Sequence, residues 1–266
     1  MRVGFIGTGN MALALAGAIA ASDPDVAVCG FDVRPEQLAR FTSQIPGAAA
    51  ASDNSDVVTD ADLVFLAVKP QGVKPVLEEI TDTEALIVSI LAGVRIAVLE
   101  ASLPRARIVR VMPNTPALVG EMAAGYAGGT LADADDLELV STILGHAGLA
   151  VRLPEALLDA VTGVSGSGPA FVARLIAAFS NAAVAAGIPR PDAIRLVLAT
   201  FSGTARLLGE KQLTPEELIS MVSSPNGTTV AGRTVLESSD LEKVIQQTVW
   251  TTIARSRELG DEGAGR

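Results

Sequence analysis

A chain of 266 residues with 49% apolar and 19% charged residues can form one large hydrophobic core or two smaller ones, which excludes a disordered protein. A formal net charge of −10 at pH 7, without a Lys/Arg cluster, argues against nucleic acid and anionic membrane surfaces as partners. One Cys and one His leave little from which to build a disulfide, a metal site or a histidine-based hydrolytic triad.

The first twelve residues, MRVGFIGTGNMA, predict a strand, a glycine turn and the start of a helix. The strand ends at Ile6, and the turn has the spacing Gly7-x-Gly9-x-x-Ala12. In dinucleotide-binding units the first glycine permits the tight turn, the second lets a pyrophosphate approach, and a small third residue allows close packing. Asp32 ends the second apolar run, where an acidic group that accepts ribose hydroxyls is expected. This order predicts a dinucleotide-binding fold.

Strands and helices alternate from residue 1 to about residue 130. The candidate strands are mostly continuous apolar runs, as in a parallel sheet covered on both faces: Arg2–Ile6, Val26–Phe31, Leu63–Val68, Ala85–Ile90 and Ile108–Val111. Helices are predicted between them at Met11–Ala21, Pro35–Gln44, Pro70–Ile80 and Arg95–Ser102. We therefore predict a Rossmann-type doubly wound sheet whose ligand lies beyond the carboxyl ends of the strands. The segments there are Gly7–Met11, Asp32–Arg34, Ala67–Gln71, Leu91–Val94 and Met112–Pro116.

The second half of the chain is predicted to be helical. A helix at Asp133–Gly145 precedes it, strand signals stop at about residue 153, and further helices are predicted at Pro169–Ala186, at 192–208, after Thr214 and at Asp240–Glu258. The first of these four contains one charge, Arg174, so it should be buried on all sides, as a core element or a subunit-interface element. We therefore predict a dinucleotide-binding domain at 1–152 and an all-helical domain at 153–266 that forms a homodimer.

The longest apolar stretch, Ala85–Leu99, is interrupted by polar residues and falls short of the roughly 20 residues of a membrane span. The glycines of the first turn also argue against a secretory signal. The expectation is a soluble cytoplasmic protein.

Two clusters of small and hydroxyl residues precede predicted helices. The segment Ser223–Thr229 reads SSPNGTT, and Gly163–Pro169 reads GVSGSGP. A helix start rich in free N–H groups can hold a carboxylate. Each cluster alone could equally be an ordinary turn and helix cap.

Together, five motifs resemble the pyrroline-5-carboxylate reductase family over nearly the whole chain. They are GTGNMA at Gly7–Ala12, AVKPQ at Ala67–Gln71, RVMPNTP at Arg110–Pro116, GVSGSGPAF at Gly163–Phe171 and SSPNGTT at Ser223–Thr229. Asn226 stands where the family usually has glycine, and Phe171 where tyrosine is common. The resemblance implies NAD(P)H-dependent reduction of the cyclic imine (S)-1-pyrroline-5-carboxylate to L-proline, the last step of proline biosynthesis.

The resemblance also implies the partners and the site residues. The family's helical domain interlocks with its twin, and the dimers often assemble into rings. We predict substrate contacts at Ser224, Asn226, Gly227, Thr228 and Thr229, with the Thr229 hydroxyl as the catalytic group and the Gly227 and Thr228 N–H groups on the carboxylate. Predicted cofactor contacts are Gly7, Thr8, Gly9, Asn10, Met11, Asp32, Arg34, Asn54, Ala67, Val68, Lys69, Pro70 and Asn114. No metal is expected.

Three questions stay open at this point. Asp32 favours NADH, whereas Arg34 could hold the 2′-phosphate of NADPH, which the family commonly uses. Lys69 is a rival as an acid or a phosphate ligand, although Pro70 after it favours a backbone role for that loop. The function could instead be that of a hydroxyacid dehydrogenase, a deazaflavin-linked reductase or a dinucleotide-sensing module without turnover. The first of these typically carries a catalytic lysine on a central helix, which the helix at 169–186 lacks.

Overall fold

The computed structural model describes residues 1–264, so the last two residues of the predicted second domain lie outside the described part. Eight strands form one sheet: β1 Arg2–Ile6, β2 Ala27–Phe31, β3 Ala49–Ala50, β4 Leu63–Leu66, β5 Leu86–Ser89, β6 Arg107–Met112, β7 Met122–Gly128 and β8 Gly148–Arg152. Their spatial order is β3-β2-β1-β4-β5-β6-β7-β8. All pairs are parallel except β6 with β7.

The first six strands have the order of a doubly wound dinucleotide-binding sheet, with the switch point between β1 and β4. The predicted fold class is confirmed, and the five predicted strands are present, β1 with its predicted bounds and the others with ends shifted by one or two residues. Three of the observed strands were not predicted from the sequence. β3 has only two residues, β7 is composed largely of Ala and Gly, and β8 is a short strand at the sheet edge. None of these sequences has strong intrinsic strand preference.

Twelve α-helices accompany the sheet in the described residues: α1 Asn10–Ser22, α2 Pro35–Gln44, α3 Asn54–Val58, α4 Val73–Glu79, α5 Ile96–Ser102, α6 Ala134–Gly145, α7 Leu158–Val161, α8 Gly168–Ala185, α9 Arg190–Lys211, α10 Pro215–Met221, α11 Thr228–Glu237 and α12 Leu241–Ala264. The predicted helix at Pro70–Ile80 begins as a 3₁₀ turn, Pro70–Gly72, before α4. A π-helical turn, Thr162–Gly166, joins α7 to α8. Capping boxes begin α6 at Asp133 and α10 at Thr214, as their sequences indicate.

The sheet is covered by apolar residues on both faces. On one face Phe5 and Phe65 stack at 4.9 Å between ring centroids beneath α1 and α2. On the other face Ile6, Leu66 and Ile87 pack with residues of α4 and α5. Burial on both faces explains why these strands are continuous apolar runs.

The chain divides into two compact units, Met1–Pro169 with the chain from Val249 onward, and Ala170–Thr248. The first unit therefore extends beyond the predicted boundary at 152, because residues 153–169 pack beside the sheet. For example, the Glu155 carboxylate accepts hydrogen bonds from Arg110 Nη1 at 3.0 Å and from the Ile96 N–H at 2.7 Å. The first unit also includes the end of α12, where the Ser256 hydroxyl donates to Asp159 Oδ1 at 2.7 Å.

The second unit, Ala170–Thr248, is entirely helical. Its only buried apolar residues are Ala193 and Leu218. Within the single chain α8 is only partly covered, with Ser180 its one buried residue, so of the two expected roles it does not fill that of a core element of one chain. The residues that the structure describes do not supply the surface that would cover this helix.

One continuous helical stretch, Glu155–Ala185, has the length and mean hydropathy, 1.3, of a membrane-crossing segment by composition alone. The sequence-based search for unbroken apolar runs did not find it, because its charged residues are few but spread along the stretch. Only 11% of its most apolar window is buried inside the chain.

Candidate functional site

The glycine turn lies at the switch point of the sheet. Gly7 has φ +89°, and a Cβ there would lie 2.8 Å from the backbone of Ala67 and Val68, so only glycine fits. The turn therefore touches the loop after β4. At Gly9, in contrast, a Cβ would meet no atom within 4 Å, and this residue caps α1 without a side-chain hydrogen bond. The helix start is thus open to an anionic group.

A cavity of about 410 Å³ opens at this turn. It brings together eight of the predicted cofactor residues: Gly7, Gly9, Asp32, Arg34, Asn54, Ala67, Val68 and Lys69. These come from the segments after β1, β2 and β4 and from α3. The bare glycine turn, the open helix start and the acidic residue at the end of β2 fit a dinucleotide.

Asp32 is buried, and both of its carboxylate oxygens accept hydrogen bonds from neighbouring residues. Oδ2 accepts from the Thr8 N–H at 2.9 Å, and Oδ1 accepts from the Arg34 N–H at 3.0 Å and from Arg34 Nε at 3.1 Å. Burial is the largest single influence on the pKa of Asp32 and acts to raise it. Hydrogen bonds from the Arg34 side chain, the Thr8 N–H and the Arg34 N–H outweigh burial, so the pKa is lowered overall.

Arg34 is held by the same pair, yet its side chain is 48% exposed. Hydrogen bonding to Asp32 raises the pKa of the guanidinium further above its ordinary value. The rim of the cavity therefore presents a cation whose charge is balanced by the carboxylate behind it. Sequence reasoning treated the two residues as rivals, and the structure joins them.

Two other predicted residues differ in how freely they face the cavity. Asn54 is buried at the start of α3, and its Nδ2 donates to Glu79 Oε2 at 2.6 Å, which fixes the amide. Lys69 is exposed in an extended conformation directly before Pro70. Its side chain makes the cavity rim locally positive.

Five predicted cofactor residues do not line this cavity. Thr8 is buried and faces Asp32, Asn10 Oδ1 accepts from Arg40 Nη1 at 2.9 Å, Met11 packs against the core, and Pro70 begins the 3₁₀ turn. Asn114 is buried beside β7. Its Nδ2 donates to Ser165 Oγ at 3.0 Å, and its Oδ1 accepts from the Ala123 N–H at 2.9 Å. The Asn114 amide thus ties the π-helical turn to the sheet.

Four lining residues were missed by sequence reasoning: Phe31, Val33, Gly72 and Val76. Val33 lies within the predicted strand-end segment and is 82% exposed, so its position carried a usable signal. Phe31 ends β2 next to Asp32. Gly72 and Val76 carry no chemical signal, because only the 3₁₀ turn before α4 places them at the cavity.

The second candidate segment lies in the helical unit, at the start of α11. The Gly227 N–H donates to the Ser224 carbonyl at 2.9 Å, with Pro225 and Asn226 between them. Asn226 has φ +59°, a conformation that asparagine and glycine adopt most readily, which accounts for asparagine where the family usually has glycine. A Cβ on Gly227 would lie 2.4 Å from Ser224 Oγ and 3.0 Å from the Ser224 carbonyl oxygen, so a larger residue would have to displace the Ser224 hydroxyl.

This turn changes one predicted contact. The Gly227 N–H was expected to hold a carboxylate, but it is already used within the turn. Thr228 and Thr229, both exposed, occupy the first two positions of α11. Their N–H groups have no carbonyl partner inside the helix, because the first four N–H groups of a helix lack one.

The comparisons with known proteins agree with the sequence motifs. Residues 155–259 match the family described as pyrroline-5-carboxylate reductase dimerisation, and residues 2–93 match NADP oxidoreductase coenzyme F420-dependent. A pyrroline-5-carboxylate reductase of Methanosarcina acetivorans is 39% identical over 264 residues, covering 97% of this chain and 98% of the relative. One from Synechocystis is 38% identical, covering 98% of both chains.

Two solved structures are similar over almost their whole length. The pyrroline-5-carboxylate reductase of Coxiella burnetii has a TM-score of 0.91 and 32% identity, with 97% of each chain covered. The pyrroline carboxylate reductase of Plasmodium falciparum, solved with NADP bound, has a TM-score of 0.86 and 28% identity, with 98% of each chain covered.

Proposed function

The chain belongs to the pyrroline-5-carboxylate reductase family and is an oxidoreductase that reduces (S)-1-pyrroline-5-carboxylate to L-proline, and we propose which of its residues carry out this reaction. The proposed residue roles rest mainly on the cavity at the glycine turn, where eight predicted cofactor residues meet. Matches over 97% of the chain favour this reaction over hydroxyacid oxidation and over a sensing module. A nicotinamide cofactor is the redox partner.

We propose that the cofactor's pyrophosphate lies at the open start of α1, against Gly7 and Gly9. There the backbone can be approached closely, and the helix dipole favours negative charge. The loop at Ala67, Val68 and Lys69 would flank the cofactor along the sheet edge. Reduced nicotinamide supplies the hydride. The residues of this cavity bind and orient it.

Asp32 and Arg34 would face the adenosine ribose. Since the guanidinium balances the carboxylate, neither NADH nor NADPH meets a strongly repelling charge, and we propose that both are used. Asp32 can still accept from a ribose diol and is unfavourable to a 2′-phosphate, so NADH is favoured. Because Arg34 is half exposed, the preference should be small, about fivefold in kcat/KM, which corresponds to roughly 1 kcal/mol.

The substrate carboxylate would bind at the start of α11. We assign it to the N–H groups of Thr228 and Thr229, with Ser224 and Asn226 shaping the turn and Gly227 permitting it. The imine accepts hydride most readily when its nitrogen is protonated, and water can supply that proton. The Thr229 hydroxyl oxygen would accept a hydrogen bond from the ring N–H and so stabilise the charged form. The residues therefore act by positioning and charge placement.

The helical region forms oligomers through its dimerisation segment. We propose a homodimer through the C-terminal helices, assembly of dimers into a larger ring, and a cytoplasmic location. We also propose a functional division at residue 152, because the dimerisation match begins at residue 155, although residues 153–169 pack with the sheet unit. Support for the dimer comes from the long apolar stretch Glu155–Ala185. It lies inside the dimerisation match, and few of its residues are buried in one chain. A second copy would cover it.

The assay measures oxidation of NADH and NADPH with pyrroline-5-carboxylate, and separately with 2-oxo acids and with oxidised F420 as acceptors. Turnover with the imine alone supports the proposal, whereas turnover only with another acceptor contradicts it. For the cofactor, kcat/KM is measured with both nucleotides in the wild type and in Asp32→Ser. The substitution should shift preference toward NADPH. A wild type strongly selective for NADPH, with no shift in the variant, would mean that Arg34 decides the preference.

A further inference from the structure

A second apolar cavity, of about 350 Å³, lies at the far edge of the sheet from the glycine turn. We call it the edge groove. It runs between β8 and the helical stretch that starts at Glu155, and its lining includes Leu149 and Val151 from the strand and Leu157 and Val164 from the helical side. The cofactor cavity shares none of its residues.

The edge groove is not built for a polar small molecule. Ser165 is the only lining residue with a polar side chain, and its hydroxyl already donates to the Ala123 carbonyl and accepts from Asn114. Every other lining residue is Ala, Leu or Val. A surface of this composition binds another apolar surface.

β8 itself is an edge strand that pairs only with β7. Leu149 is 63% exposed and Val151 is 41% exposed, while Ala150 between them packs against the core. Two large apolar side chains of this strand are thus left exposed in the groove. Natural edge strands usually carry charges or are covered, because an apolar edge invites aggregation. This edge therefore requires a cover that the described part of the chain does not supply.

We propose that the edge groove is part of the subunit interface and is covered by an apolar helix face of a second copy of this chain. The inference rests on the proposed homodimer and extends it to β8, outside the dimerisation match at 155–259. The groove is continuous with the dimerisation segment, because Leu157, Val161 and Val164 line the groove and lie inside that match. One surface thus runs from the dimerisation segment onto the sheet edge.

Charge and symmetry are compatible with this occupant. Two copies with a formal net charge of −10 each repel one another, but the groove contributes no charged side chain to that repulsion. In a two-fold dimer the groove of each subunit meets the same helix face of the other, so both edges are covered at once.

The test compares Leu149→Asp with Leu131→Asp. Leu131 is the matched control, because it is 52% exposed and lies outside both the groove and the dimerisation match. Sedimentation velocity across a dilution series should show the dimer dissociation constant rising about 100-fold for Leu149→Asp, since an unpaired charge would be buried in an apolar interface, and little change for the control.

A labelling experiment covers the case in which Leu149→Asp fails to fold. Leu149→Cys and Leu131→Cys are treated with a thiol reagent below and above the dissociation constant, with the buried Cys29 as the background measured in wild type. The Leu149→Cys thiol should react about tenfold more slowly in the dimer, and Leu131→Cys equally fast in both states. Equal labelling of Leu149→Cys in monomer and dimer overturns the inference and leaves the homodimer standing. A wild type that stays monomeric at micromolar concentration refutes the proposed dimer itself.

Discussion

The two compact units of this protein use their apolar residues in opposite ways. In the sheet unit, Phe5, Leu63 and Phe65 are completely buried within the chain. In Ala170–Thr248 the larger apolar side chains face outward, with Phe179 52% exposed and Leu196 57% exposed. The helical unit is nevertheless as apolar as a core element in parts of its sequence.

This difference teaches where each unit obtains its stability. Burial of apolar surface contributes roughly 25 cal/mol per Å², so the sheet unit gains this free energy when a single chain folds. The helical unit can gain most of it only on association. Its stability should therefore depend strongly on protein concentration, whereas that of the sheet unit should depend on it only through the small surface at the edge groove.

The largest expected effect tests the sheet unit. Phe65→Ala removes a ring that stacks on Phe5 and leaves a cavity, which should lower the free energy of unfolding by about 3–5 kcal/mol. Urea unfolding should show the same loss at every protein concentration. Phe179→Ala is the matched variant, and its effect should change with concentration. The comparison would be contradicted if the loss of unfolding free energy depended on protein concentration for Phe65→Ala and not for Phe179→Ala.

Association of the helical unit is tested by Ala178→Glu. Ala178 is exposed on α8 in the single chain, so the new charge should change the free energy of the monomer little. Once a second copy covers the helix, burying the charge should cost roughly several kcal/mol of association free energy. Sedimentation should show dissociation with helix content retained. Ala97→Glu, at an exposed alanine of α5, serves as the control. A variant that dimerises like wild type would show that α8 lies outside the interface.

Thr229→Val asks whether the helical unit contributes chemistry as well as contact. Losing a hydrogen bond to a charged group costs roughly 1.5–3 kcal/mol, so kcat/KM should fall about 10- to 150-fold while the fold is kept. The control is Thr234→Val on the same helix, since the Thr234 hydroxyl donates to the Val230 carbonyl. Unchanged kinetics in folded Thr229→Val would show that this hydroxyl takes no part in the reaction.

The smallest effect concerns the acid stability of the sheet unit. Since the pKa of Asp32 is lowered in the folded state, its contribution is present above the unfolded pKa and is lost as pH falls through the folded pKa. The loss should amount to about 1 kcal/mol or less, because its partner Arg34 is half exposed. Urea midpoints from pH 7 down to pH 3 should fall less steeply for Asp32→Asn than for wild type. Asp82→Asn is the surface control. If the urea midpoints of Asp32→Asn and wild type fall equally steeply with pH, Asp32 does not contribute to acid stability.

Local sequence determined much of the sheet unit. Continuous apolar runs predicted β1, β4 and β5, because a strand buried on both faces needs apolar residues at every position. The Gly7 and Gly9 spacing located the cavity, because Gly7 has a positive φ that only glycine fits here and Gly9 leaves the helix start open. β8 was missed because its exposed apolar face resembles neither a buried run nor an alternating surface strand.

Only the tertiary structure decided which polar groups meet. Asp32 pairs with Arg34 and Thr8, the Asn114 amide ties Ser165 to β7, and the Gly227 N–H is used within its own turn. These contacts depend on the relative positions of backbone segments, and a residue pattern does not encode those distances. The same holds for α8: its sequence determined that it must be covered, but only the fold shows that its own chain leaves it exposed.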